Sequence, residues 1–358
     1  MERFDLIREK LSSCGLDAML LNCEVNRFYA CGMRSSGEED GAVLITKDAA
    51  YLFTDFRYIE AARQTVKGAA IEMVGGGRSY ASLINDAIDR HGIRRMGFDD
   101  EHLTVSRYDR CRKSYNCELV PASDILLGLR TVKTPDELDN MVAAQRIAER
   151  ALTELYNDVK PGVTERQLAA RLIYLMLYYG AEGTSFDPIV VSGENSSKPH
   201  GVPGDREIRE GDFVTMDFGC IYNGYCSDMT RTVAIGHATD EMHKIYGTVS
   251  DAQLAGINAA KAGVCGKDVD AAARAVISDA GYGEYFGHSF GHGVGIEIHE
   301  APNLSPSNTS PLPVGAVVSA EPGIYLPGKF GVRIEDLLII TEDGCTDITQ
   351  MPKGLIIL

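Results

Sequence analysis

Residues 216–231 read MDFGCIYNGYCSDMTR. Asn223-Gly224 between two apolar runs is the strongest short-range signal for a β-hairpin with a two-residue type I′ turn. Such a turn pairs Tyr222 with Tyr225 and so fixes the register of everything beyond it. Asp228 then stands opposite Gly219. Asp217 falls on the same face as Asp228, a diagonal neighbour with Cβ atoms roughly 7 Å apart or less. Two carboxylates on an otherwise apolar hairpin repel unless a cation lies between them. A pair of metal ions about 3.5–4 Å apart fits that gap.

A second pair of segments follows the same logic. The stretches containing Ser319-Ala-Glu321-Pro-Gly and Arg333-Ile-Glu335-Asp are strand-like and joined by Leu-Pro-Gly-Lys-Phe. A connection centred on Gly328 sets Glu321 opposite Glu335, among apolar and β-branched neighbours where an unpaired carboxylate is costly. Between the two hairpins runs GHSFGHGVGIEIHE, residues 287–300. Its glycines allow close backbone approach, and one of its imidazoles can complete a set of two Asp, one His and two Glu. Four carboxylates balance two dications. Mostly oxygen ligands with one imidazole favour Mn²⁺, with Co²⁺ or Zn²⁺ as alternatives. Asn303 stands where a His-Glu-x-x-His helix needs its second histidine, which disfavours a single-zinc protease of that kind.

The chain around these motifs reads as two domains. Residues 1–123 alternate helical and strand patterns, an α/β domain of its own. Residues 124–358 hold the hairpins. A long helix opens near Lys133-Thr-Pro-Asp-Glu, with Thr134 as cap, Pro135 at the first helical position and Glu137 completing a capping box. Lys160-Pro-Gly-Val resembles Lys261-Ala-Gly-Val, each stretch preceding an Ala/Leu-rich helix, so two similar halves with a site between them are expected.

The net charge of −16 excludes nucleic acid and acidic membrane surfaces as partners. No signal peptide or membrane-length apolar run is visible. The nine cysteines are an odd number with no Cys-x-x-Cys spacing, which favours reduced thiols and a cytoplasmic location.

Five motifs in order, Met-Asp-Phe-Gly, Ser-Asp-Met-Thr-Arg-Thr, Gly-His-Gly-Val-Gly, Glu-Pro-Gly-Ile-Tyr and Arg-Ile-Glu-Asp, resemble the M24 metallopeptidases, specifically the Xaa-Pro aminopeptidase and Xaa-Pro dipeptidase branch. The resemblance spans the whole chain. It implies an α/β creatinase-like N-terminal domain and an α+β pita-bread catalytic domain with two pseudo-symmetric halves. It also implies Asp217, Asp228, His292, Glu321 and Glu335 as ligands of two divalent ions, with Asp228 and Glu335 bridging. Glu321 matches the general base that shuttles the proton of the attacking water. His200 and His299 match residues beside the reacting carbonyl. His288, Tyr325 and Arg333 match residues lining or supporting the proline pocket. Relatives of this kind are commonly homodimers acting on proline-containing peptides.

Many dipeptidase relatives carry an arginine soon after the His-Glu pair to hold the dipeptide carboxylate. Here Asn303 stands where that arginine is expected, which leans toward an Xaa-Pro aminopeptidase. The Xaa-Pro dipeptidase remains open beside it. A methionine aminopeptidase and a non-catalytic binding module on the same fold are further alternatives.

Overall fold

The computed structural model describes residues 3–35, 37 and 40–358; Met1, Glu2, Ser36, Glu38 and Glu39 lie outside the described residues. The chain divides into two compact units, Met1–Arg130 and Thr131–Leu358. The division falls after Arg130 rather than after residue 123, and helix Ser123–Thr131 explains the difference. Its Ile125 and Leu126 are buried, and its Arg130 guanidinium donates to Asn26 Oδ1 at 3.2 Å, which ties the helix to the first unit.

The first unit is built on a six-stranded mixed sheet whose edges are the strands Ala70–Met73 and Glu118–Pro121. Its centre holds a hairpin, Gly41–Thr46 against Ala50–Thr54, every residue of which is buried. Helix Tyr80–His91 covers it through Leu83, Ile84, Ala87 and Ile88, the spacing of one apolar helical face.

The second unit has two halves of like construction. In the first, helices Pro135–Leu155 and Glu165–Tyr178 pack on a sheet whose hairpin is Phe213–Phe218 with Met229–Ala234. In the second, helices Asp240–Ala259 and Gly266–Asp279 pack on a sheet whose hairpin is Val317–Ala320 with Asp336–Ile340. The two Gly-Val stretches occupy equivalent places. Gly162 and Gly263 have φ of 89° and 81°, a left-handed conformation that glycine adopts without a Cβ penalty. The carbonyls of the valines after them accept from Ile208 N and Leu312 N, respectively, at 2.9 Å.

The halves join edge to edge at their hairpins. Glu335 N donates to Thr230 O at 3.1 Å, and Thr232 Oγ1 donates to Arg333 O at 3.0 Å. Arg231 locks this seam from behind. Its buried guanidinium pairs with Asp336 Oδ1 at 2.7 Å and donates to the carbonyls of Thr230, Glu335, Met351 and Pro352. Asp336 Oδ2 in turn accepts from Gln253 and Lys353. Among the described residues, no helix is long and apolar enough to cross a membrane.

Replacing Arg231 leaves Asp336 and several carbonyls buried with a donor missing. Arg231→Met is expected to lower the free energy of unfolding by about 3–5 kcal/mol, measured by urea denaturation. A loss below about 1 kcal/mol would show that the seam does not depend on this side chain.

Candidate active site

Asn223 and Gly224 have φ of 46° and 81°, both left-handed as a type I′ turn requires. Tyr222 pairs with Tyr225, Met229 with Phe218 and Thr230 with Asp217, so the register set by the turn persists along the whole hairpin. Asp228 falls opposite Gly219. A Cβ at residue 219 would meet Ser227 O at 1.9 Å, so only glycine lets the strands close there. At the far end, Tyr225 Oη donates to Glu137 Oε1 at 2.8 Å, fastening the turn to the capped start of helix Pro135–Leu155.

The second hairpin turns at Gly328, whose φ is 73°. Leu326 pairs with Phe330 and Gly323 with Arg333; after an interruption at Pro322, Ala320 pairs with Asp336 in the same register. Glu321 and Glu335 occupy that interruption, opposite one another. The bond from Glu335 N to Thr230 O then brings this hairpin against the first, and Thr230 Oγ1 donates to Glu335 Oε2 at 2.7 Å.

These elements wall one cavity of about 810 Å³ in the second unit, which Asp217, Asp228, His292, Glu321 and Glu335 all line. Asp228, His292 and Glu335 offer ligand atoms within 4.8 Å of one another. His292 Nε2 lies 3.2 Å from Glu321 Oε1 and 3.6 Å from Asp228 Oδ2. Its Nδ1–H donates to Gly293 O at 3.1 Å, which leaves Nε2 to face the carboxylates. The fifth residue, Asp217, lines the same cavity and pairs through Oδ2 with the Arg333 guanidinium.

A divalent cation fits the group on three observations. Asp228 Oδ1 is buried with no hydrogen-bond partner, an arrangement that is costly without a cation. Burial, reinforced by the charge of Asp217, holds the Asp228 carboxyl well above the usual carboxylate range; burial and Asp228 do the same to Glu335. Burial opposes the His292 imidazolium, but the hydrogen bond and charge of Glu321, with Asp228 beyond it, push its pKa up to about 9. Burial likewise opposes the Glu321 carboxylate, and the same bond from His292 brings it down to about 2. Protons on these groups stand where cations would otherwise balance the carboxylates. Oxygen donors with a single imidazole suit a hard or borderline divalent ion.

The remaining site candidates separate into two sets. His200, His288 and His299 line the cavity, and the ring of His299 meets that of His292 edge-on at 4.4 Å. Burial and the neighbouring His292 lower the pKa of His299. His288 is lowered as well, by burial; its Nδ1–H donates to Ser289 O at 2.9 Å. Tyr325 stands behind the wall, its hydroxyl 2.9 Å from His288 Nε2 and accepting from Arg333 Nη1 at 2.7 Å. Arg333 lines the cavity and links Asp217 to Tyr325.

Two residues of the site were not anticipated from the sequence. Ser319 Oγ accepts from His292 N at 3.0 Å and lies 3.2 Å from Glu321 Oε1. Thr230 holds Glu335. Ser319 carries a readable signal, a lone hydroxyl in an apolar strand two residues before Glu321 and hence on the same face.

Residues 139–342 match the model of metallopeptidase family M24, and residues 3–132 match the creatinase/prolidase N-terminal domain. The chain belongs to metallopeptidase family M24. As a member it is a metallo-exopeptidase whose fold is the creatinase N-terminal domain followed by the pita-bread catalytic domain. It is similar to the uncharacterized peptidase YqhT of Bacillus subtilis, 42% identical over 361 residues that cover 99% of this chain and all of that protein. A solved Xaa-Pro dipeptidase from Bacillus anthracis is 42% identical, with a TM-score of 0.95 over 100% of this chain and 99% of that one. A solved X-Pro aminopeptidase from Thermotoga maritima is 36% identical, with a TM-score of 0.91 over 96% of this chain and 98% of that one. Divalent-metal binding follows from the family.

Metal must displace the protons that this M24 site carries when metal-free. Divalent-ion affinity is therefore expected to rise with pH and to level off above about pH 9, where His292 is neutral. Calorimetric titration in two buffers of different ionisation enthalpy should register proton release at neutral pH. Affinity independent of pH across that range would contradict the arrangement.

Proposed function

We propose that this M24 peptidase is an Xaa-Pro aminopeptidase that removes the N-terminal residue preceding proline, using two divalent ions, most readily Mn²⁺, held by Asp217, Asp228, His292, Glu321 and Glu335. When bound, such ions lower the pKa of water toward neutrality and polarise the scissile carbonyl. Glu321 accepts the proton of the attacking water and returns it to the leaving proline nitrogen. His299, kept neutral by burial and by its neighbour His292, hydrogen-bonds the carbonyl oxygen as charge develops there, and His200 flanks the same carbonyl. His288, backed by Tyr325 and Arg333, forms the wall against which the proline ring packs. Proline lacks the N–H that ordinary peptidases bind, so shape and burial select it.

The preference for longer peptides is supported by one observation. Among the described residues lining the cavity, Arg333 is the only Lys or Arg, and it is engaged by Asp217 and Tyr325. A dipeptide would place its free carboxylate in this cavity with no cation to receive it, whereas a longer peptide continues past the neutral Asn303, Ser305 and Ser307. The alternative, an Xaa-Pro dipeptidase, is supported by the name of the Bacillus anthracis relative; the Thermotoga maritima relative is named an aminopeptidase. The nine free thiols support work in a reducing compartment, the cytoplasm.

With Mn²⁺ present, kcat/KM for an Xaa-Pro-Xaa tripeptide is expected to exceed that for the matching Xaa-Pro dipeptide by about tenfold or more, the worth of one unpaired carboxylate. A preference for the dipeptide would reverse the assignment between the two activities. Turnover of neither would remove the Xaa-Pro reading altogether.

A further inference from the structure

Lys133, near the start of the second unit, forms an ion pair with Glu300 at 2.6 Å, and their side chains are only 2% and 3% exposed. Glu300 immediately follows His299 and pairs with Gly293, the residue after His292. Its carboxylate also lies against Gly295, where a Cβ would come within 2.2 Å of Oε1. The segment between the two histidines is thus fixed at its first end by backbone bonds, Val294 N to Val317 O and Cys226 N to Gly295 O. At its second end it is fixed by the Glu300 side chain reaching Lys133. Lys133 is itself placed by a bond from its N–H to Gly315 O at 3.0 Å.

Stability alone is a poor reason for this pair. Two charges taken out of water gain little over apolar side chains of similar volume. What the pair supplies is a defined position for the backbone that bears His299. We propose that Lys133 is a positioning residue for His299, acting through Glu300. The proposal rests on the reading above, in which His299 meets the substrate carbonyl.

The test replaces both members of the pair together, so that neither Lys133 nor Glu300 is left as the lone charge of the two. In the metal-loaded full chain, the double variant Lys133→Met, Glu300→Met is expected to keep or raise the unfolding midpoint. Its kcat on an Xaa-Pro-Xaa tripeptide falls on the order of 10–100-fold, with KM within about twofold. The same pair of substitutions added to His299→Ala causes no further loss, because the group they position is gone. Bound metal per chain is unchanged, and the His299 imidazole NMR resonances move. Lys133→Arg, which keeps the charge but not the point contact, shows the same pattern at smaller size and serves if the double variant does not fold.

Parental kcat in the folded double variant, a loss that multiplies with that of His299→Ala, or loss of bound metal would each overturn the positioning role. Unmoved His299 resonances would overturn it without reference to any substrate. A parent chain inactive on Xaa-Pro peptides would instead sink the proposed activity, which the resonance measurement tests separately from the positioning role.

Discussion

Mutual repulsion among buried carboxyl groups is the constraint around which the second unit is organised. Asp217, Asp228, Glu321 and Glu335 line one cavity, and carboxylates so confined cannot all ionise unless cations join them. The side chains themselves supply part of the compensation, residue by residue. Asp217 leans on Arg333, Glu321 takes a proton-bearing His292 as its partner, and Asp228 and Glu335 are held toward their neutral forms. Such a cluster persists only where a rigid frame prevents the side chains from escaping into water.

That frame is the pair of hairpins. Each brings its two carboxylates together by register: an Asn-Gly turn for Asp217 and Asp228, a turn at Gly328 for Glu321 and Glu335. The hairpins are then fused through Thr230 and Glu335, with Arg231 and Asp336 completing the seam beneath. The halves behind them repeat the same helix-and-hairpin plan, so the site lies where two similar edges meet. The histidine-bearing segment between the hairpins adds the imidazole, and its glycines admit the backbone where side chains would collide.

Much of this was legible in the sequence because it depended on local rules. Turn chemistry fixes register, and register fixes which face a carboxylate occupies, so the placement of Asp228 opposite Gly219 and of Glu321 opposite Glu335 needed no tertiary knowledge. What was not legible depended on contacts between segments far apart in the chain. The pairing of Asp217 with Arg333, the position of Tyr325 behind His288, and the carbonyls gathered by Arg231 are set by how the two hairpins abut. The unit division falls after Arg130 for the same reason: the bond from Arg130 to Asn26, far away in the chain, ties helix Ser123–Thr131 to the first unit.

The claim that these carboxylates form one metal-binding group is tested most directly by anomalous diffraction from crystals equilibrated with Mn²⁺. The account predicts two peaks per chain, about 3.5–4 Å apart, both within bonding reach of Asp228 and Glu335. Peaks elsewhere, or none in this cavity while the folded protein is saturated with the ion, would contradict it.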